Sequence, residues 1–340
     1  MKTPSLLKKL GRFCWRRERF LGLGTGYLLG VPIYKKELAQ DGIRRSLFGI
    51  CYSCKSWIEQ CIASSTERKG LRRELFAYRR RPDFPQKFDA LVRGLPPRGR
   101  LTVARILNRI THPEACCYNP QEQQEIQNVM FNFRQCVFQV SDEVCYYNGS
   151  YLPAQTSLEV SVLYYKHGLD QLRHLERIAQ RDIVDVGGYH GDSVLVLASH
   201  TKRTVYTFEP IKENCALIEK TLQMNHIPNC KIANLALGSR CQIHDGMEEQ
   251  TLDAYVAKHG LNVGLIKVDI EGAEPEFLKG AKETICTQKP TLLLSIYHNW
   301  HDFFELKPII ESWNLGYRFD IYKPTDGGVR VDTLLIAEVD

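Results

Sequence analysis

The chain has no uncharged run long enough to cross a bilayer. Its longest such stretch near the start, Phe20 to Tyr34, is fifteen residues with four glycines and Pro32, whereas a helical span needs ~20 apolar residues. Seven Lys/Arg and Glu18 precede it and no small-x-small cleavage site follows, so a secretory leader is not expected. Cysteine is plentiful at twelve but lacks a framework. Cys51-x-x-Cys54 and Cys61 begin a zinc pattern whose second C-x-x-C is missing, Cys116-Cys117 being a poor replacement. Reduced thiols, a cytoplasmic setting and no metal are therefore expected. A dinucleotide fingerprint is missing as well. In the glycine-rich stretch after Asp182 the glycines fall at 187, 188 and 191, so G-x-G-x-x-G fails.

What is present divides unevenly. Residues 1–150 carry a net charge of +13 and residues 151–340 one of −7. A basic front half suits an anionic membrane surface, nucleic acid, an acidic glycan or simply solvent. Segment 5–20, with Leu6, Leu7, Leu10, Phe13 and Phe20 among Lys and Arg, could lie peripherally on a membrane. Gly22-x-Gly24-x-Gly26 reads as a turn, since no adequate strand precedes it. Residues 55–81, 101–110 and 122–133 show helical spacing. Asn148-Gly149 between apolar runs predicts a hairpin over 144–152. Residues 1–150 thus read as a basic, mainly helical accessory region ending in a hairpin, and 151–340 as a second domain.

That second domain alternates. A helix is expected over 158–179, then a buried strand at 183–186 that runs into Gly187, Gly188 and Gly191 and a helix from Ser193. A second strand, Val205 to Phe208, ends on Glu209, twenty-four positions after Asp185. Glycines at a strand-to-helix turn admit a ligand to the backbone, and an acid ending the second strand binds ribose hydroxyls. Further strands are expected at 231–237, 263–270, 291–297, 317–322 and 331–339, the last two joined through Asp326-Gly327-Gly328. This is a Rossmann-like α/β sheet of seven strands, parallel except for one, as in class I methyltransferases.

Asp185-x-Gly187-x-x-x-Gly191 resembles motif I of S-adenosylmethionine methyltransferases. Together with Phe208-Glu-Pro210, Thr251-Leu-Asp253, Lys267-Val-Asp-Ile-Glu-Gly-Ala-Glu274 and Lys289-Pro290, it is similar to the FkbM methyltransferases over about residues 180–340. The resemblance implies S-adenosyl-L-methionine as cofactor and O-methylation of a sugar hydroxyl on a glycan or glycosylated metabolite. The expected cofactor site is Asp185, Gly187, Gly188, Tyr189, Gly191, Ser193, Glu209, Pro210, Ala236 and Asp269. Asp185 would hold the loop and approach the amino-acid portion, and Glu209 would accept both ribose hydroxyls. Asp269, His298, Glu271 and Lys267 are the catalytic candidates, with His298 as the base because of its native pKa. Lys267 and Glu271 are expected on one face of the strand, as an ion pair, and Asp269 on the other. Gly188-Tyr189-His190 departs from the family's Gly-Ala-Asn, and Ser295 stands where many members have Glu. Two alternatives stay open: a nucleic-acid methyltransferase using the basic half, or a non-catalytic cofactor-binding scaffold. An N-P-P-[YF] sequence for base amino groups is missing after the fourth strand.

Overall fold

A computed structural model of the chain describes residues 15–20, 23–28, 31–39, 42–47, 50–56, 65–111, 119–154, 158–244, 246–325 and 329–340. Cys61, Cys116-Cys117, Asp326-Gly327-Gly328 and the first part of segment 5–20 lie outside the described residues. The chain forms two compact units, one of residues 1–62 with 118–135, the other of 63–117 with 136–340. The chain passes between them after residues 62, 117 and 135, none of which is the division after residue 150 expected from sequence.

The first unit holds an antiparallel meander, β1 (Trp15–Phe20), β2 (Leu23–Leu28), β3 (Val31–Ala39), β4 (Gly42–Leu47) and β5 (Ile50–Ser56). Helical spacing did not foretell it, and Gly24 and Gly26 sit in a strand rather than a turn. The pairs Phe20/Leu23, Leu28/Val31, Ala39/Gly42 and Leu47/Ile50 close four hairpins across two-residue connections.

The second unit begins with helices α1 (Ser65–Arg79), α2 (Phe84–Val92) and α3 (Pro97–Thr111); α4 (Pro120–Gln135) belongs to the first unit. Next come β6 (Val137–Ser141), β7 (Val144–Tyr147) and β8 (Ser150–Pro153), a small sheet. Its β7–β8 turn has Asn148 and Gly149 both at positive φ, 46° and 92°, the type I′ requirement. The helix expected over 158–179 is broken. Only α5 (Val160–Leu163) is α-helical, and short 3₁₀ turns follow at 166–171 and 175–178. Lys166, His167 and Gly168 have φ of 49°, 48° and 79° in succession, which no right-handed helix can hold.

From there the sheet is built in sequence. β9 (Asp182–Val186), α6 (Asp192–Leu197), β10 (Val205–Phe208), α7 (Lys212–Met224) and β11 (Cys230–Ala233) form one half. A short ladder of β12 (Ala236–Leu237), β13 (Gln242–His244) and β14 (Met247–Gln250) intervenes, then α8 (Leu252–His259) capped by Thr251. β15 (Val263–Val268), α9 (Glu274–Gly280), α10 (Lys282–Gln288), β16 (Thr291–Ser295), α11 (Trp300–Glu311), β17 (Arg318–Tyr322) and β18 (Leu334–Glu338) complete it. The strand order is β11-β10-β9-β15-β16-β18-β17, with β18 the antiparallel member. The expected seven-stranded sheet is thus present.

Strand alternation sorts the core into two layers. Val184, Val186, Ile266, Val268, Leu292 and Leu294 pack against one helical layer containing Leu91, Ile106, Phe303 and Phe304. Ile183, Val205, Leu265 and Leu293 face the other, with Leu169, Val194 and Leu197. Strand order reverses between β9 and β15, so a crevice opens at their carboxyl ends, where open α/β sheets bind ligands.

Candidate active site

At that crevice lies a cavity of about 570 Å³. Gly187, Tyr189, Ser193, Glu209, Pro210, Lys267, Asp269 and Glu271 line it, so most of the residues expected from sequence converge. Gly187 has φ 84°, and a Cβ there would lie 2.0 Å from the Asp269 carbonyl oxygen. Only glycine lets the loop after β9 pass the end of β15 so closely.

Beneath the loop is a buried polar cluster fixed by register. Asp185 is the cross-strand partner of both Thr207 and Lys267. Its Oδ2 accepts from Ser193 Oγ at 2.8 Å and Thr207 Oγ1 at 2.9 Å, and its Oδ1 lies 3.0 Å from Lys267 Nζ. Lys267 also donates to the Gly187 carbonyl at 2.6 Å. Burial works against the ammonium, but Asp185 and Asp269 raise its pKa. Asp185 is wholly buried and is not among the lining residues. It therefore holds the loop without approaching the cofactor itself. Gly188 and Gly191 also sit behind the lining, Gly191 at φ 87° leading into α6. Ala236 belongs to β12, paired with β14, and does not line the cavity either.

Glu209 ends β10 with 5% of its surface exposed. Its Oε2 accepts from Tyr189 N–H at 2.9 Å; its Oε1 accepts from Ile211 N–H at 3.0 Å and Asn214 Nδ2 at 3.2 Å. A carboxylate has about four acceptor directions, so one remains, on Oε2. That direction is free to accept from a ribose hydroxyl.

Lys267, Asp269 and Glu271 all line the cavity. β15 ends at Val268 and Glu271 turns back at φ 58°, so the expected split of Asp269 from the other two does not occur. Lys267 pairs with Asp185, not with Glu271. Asp269 accepts from Tyr297 Oη at 3.2 Å on each oxygen, and His298 Nε2 lies 3.2 Å from its Oδ1. The other ring nitrogen of His298, Nδ1, lies 3.0 Å from Glu274 Oε1. Burial alone would lower the His298 pKa, but the two carboxylates push it up to about 10. Burial alone would raise Asp269, yet His298 and Lys267 hold it at about 2. His298 is therefore an imidazolium at neutral pH, which overturns its reading as a base of native pKa. Asp269, Glu274 and His298 also bring ligand atoms within 4.8 Å of one another, a spacing a metal ion could use. The two ring nitrogens face different carboxylates, however, so the imidazolium already neutralises the pair.

Sequence reasoning missed Glu159, His167, Asp192, Ile211, Asn214 and Tyr297, all lining the cavity. Glu159, His167, Asp269 and Tyr297 also border a small adjoining recess with Ser295 and Asp332. Burial, then Asp192, Asp332 and Asp269, push Glu159 up to about 8. Burial, then Asp269, raises Tyr297 far above the usual phenol range.

The sheet with its one reversed strand, the glycine loop and the acid-ended second strand are the arrangement of the class I methyltransferase fold. Within that class, residues 242–319 match the methyltransferase FkbM domain, bearing out the resemblance read from the sequence. A methyltransferase FkbM from Methylobacillus flagellatus KT is 24% identical over 70% of this chain and 60% of its own, with a TM-score of 0.45. The chain thus spans only 60% of that protein's length. An rRNA methylase from Streptococcus thermophilus is 14% identical, over 51% of this chain and 93% of its own, TM-score 0.34. A methyltransferase from Streptococcus mutans in complex with SAH is 12% identical, over 51% and 94%, TM-score 0.37. No curated protein matches the chain in sequence. Among the described residues no helix is long and apolar enough to cross a membrane.

Proposed function

We propose that the chain transfers the methyl group of S-adenosyl-L-methionine to a hydroxyl of a neutral sugar on a glycan or glycosylated metabolite. The observation that carries this reading is the single cavity running from Gly187 and Glu209 to Asp269 and Tyr297. Its volume falls within the ~300–1,000 Å³ of small-molecule sites, and it joins a cofactor end to an acceptor end. The unfilled Oε2 direction of Glu209 suits a ribose hydroxyl, Pro210 and Ile211 offer apolar surface for adenine, and Gly187 and Ser193 border the space for the methionine portion. The cofactor when bound supplies an electrophilic methyl on a sulfonium leaving group, so the protein's task is positioning and proton removal. Asp269, held by Tyr297 and His298, presents a fixed carboxylate beside that sulfonium region and orients the acceptor hydroxyl. Four carboxylates, Asp192, Glu209, Asp269 and Glu271, line the cavity beside a Glu159 that burial keeps protonated; they favour a neutral acceptor over a nucleic-acid polyanion. The sugar class itself rests on the FkbM resemblance. We place the activity in the cytoplasm, in keeping with the free thiols of Cys145, Cys215 and Cys230. A peripheral membrane contact through the basic N-terminal segment belongs to the same proposal, since glycan acceptors are often lipid-borne. The test is incubation with methyl-labelled cofactor and a panel of neutral and acidic glycosides, products read by mass spectrometry. O-methylated neutral glycoside is expected. Label on RNA or DNA with none on any glycoside would overturn the reading.

A further inference from the structure

Proton removal in the reaction just proposed is left without an agent by the groups expected from sequence. Both nitrogens of His298 face carboxylates. Asp269, at about 2, is a weak base. Glu271 has a side chain 92% exposed, outside the part of the site shielded from water. We propose that His167 is the catalytic base, its Nε2 accepting the proton of the acceptor hydroxyl; this rests on the methyltransferase reading above.

Three independent observations converge on that imidazole. First, His167 lines both the main cavity and the adjoining recess, beside Tyr297 and Asp269. Second, it is 6% exposed and its buried Nε2 has no hydrogen-bond partner. A buried imidazole nitrogen without a partner is costly, and an acceptor hydroxyl would satisfy it. Third, its backbone is held against preference. Lys166 and His167 are both left-handed at φ 49° and 48°, a conformation costing L-residues roughly 1–2 kcal/mol each. Such strain clusters where a side chain must be aimed. Gly168 follows at φ 79°, where a Cβ would press on Leu334 at 3.0 Å.

The charges around the ring agree. Burial, then Lys267, lowers its pKa, while Asp269, Asp185 and Asp192 act weakly the other way. The ring is therefore neutral, with a lone pair available, at the pH where His298 is charged. In the step, the acceptor oxygen forms the O–CH₃ bond as the S–CH₃ bond breaks. The hydroxyl proton passes to Nε2, the sulfonium becomes a neutral thioether, and the imidazolium later returns its proton to water.

Two measurements test this. In histidine-selective ¹⁵N NMR, with the His167 signal assigned by loss in His167→Gln, the ring should remain neutral at pH 7 and charge only below pH ~6.5. With a neutral methyl glycoside that the wild type methylates, His167→Gln should cut single-turnover rate by ~10²–10⁴-fold. Cofactor affinity, by calorimetry, should stay within about threefold, and the acid limb of the wild-type pH–rate profile should vanish in the variant. A ring charged at pH 7, or a variant with undiminished rate, overturns the assignment. A neutral ring in a protein that methylates no glycoside in the panel supports the assignment and sinks the sugar reading instead.

Discussion

Replacing Lys267 with methionine probes the support under the cofactor loop. Lys267 is 4% exposed and Asp185 wholly buried. The register of β9 and β15 sets them opposite each other, so Lys267→Met leaves an uncompensated carboxylate in the sheet's interior. The two hydroxyl donors, Ser193 and Thr207, remain, but the only cation in contact with Asp185 among the described residues is gone. Breaking a buried pair from one side costs about 3–5 kcal/mol, much of it the stranded charge. Removing that charge as well should therefore restore part of the loss. Lys267→Met with Asp185→Asn should be more stable than Lys267→Met alone by at least about 1.5 kcal/mol, since an amide oxygen in the place of Oδ2 still accepts both hydroxyl bonds. Urea unfolding followed by near-ultraviolet circular dichroism measures wild type, both single variants and the double variant, and the cycle isolates the coupling. A loss under about 1 kcal/mol for Lys267→Met, or a double variant no better than the single, would show that water reaches Asp185 and that the loop is not held as described.

Other outcomes follow from the same geometry. Glu209→Gln loses the charge-assisted bond from its free Oε2 direction, so cofactor affinity by calorimetry should fall ~10–150-fold, equivalent to about 1.5–3 kcal/mol. Gly187→Ala puts a methyl 2.0 Å from the Asp269 carbonyl oxygen, so the melting temperature should drop and cofactor binding disappear; a variant that binds normally refutes the close approach. His298 stabilises the fold through a pKa raised from 6.5 to about 10. That contribution is complete below pH 6.5 and is lost as pH rises to about 10, at about 1.4 kcal/mol per unit. The melting-temperature gap between wild type and His298→Gln should therefore shrink over that window; a constant gap contradicts the imidazolium.

The sheet and the cofactor end of the site were legible because they are written in contiguous residues. Buried parallel strands are continuous apolar runs, and the loop and the acid follow directly at their carboxyl ends. A two-residue turn was legible at Asn148-Gly149, whereas the strands described within 15–56 were overlooked because their polarity is uneven. The acceptor end was not legible. Glu159 and His167 lie in a stretch whose apolar spacing imitates a helix, and the left-handed turn at 166–168 is set by packing under Leu334 and Tyr322. His298 does not keep its expected native pKa, and His167 was overlooked, because a histidine's pKa depends on neighbours distant in sequence. Asp269, then Glu274, decide His298; burial decides His167. The placing of Glu271 was misassigned because β15 stops at Val268 and the turn at Glu271, φ 58°, breaks the alternation.

Titration of S-adenosyl-L-methionine into the purified full chain tests the central claim most directly, because the account stands on the cavity between Gly187 and Glu209 being a cofactor site. One equivalent should bind per chain, with S-adenosylhomocysteine competing for the same site and NAD, which needs the missing dinucleotide loop, not competing. A folded protein that takes up neither adenosyl ligand at about 1 mM, where even −4 kcal/mol of binding would register, would contradict the account.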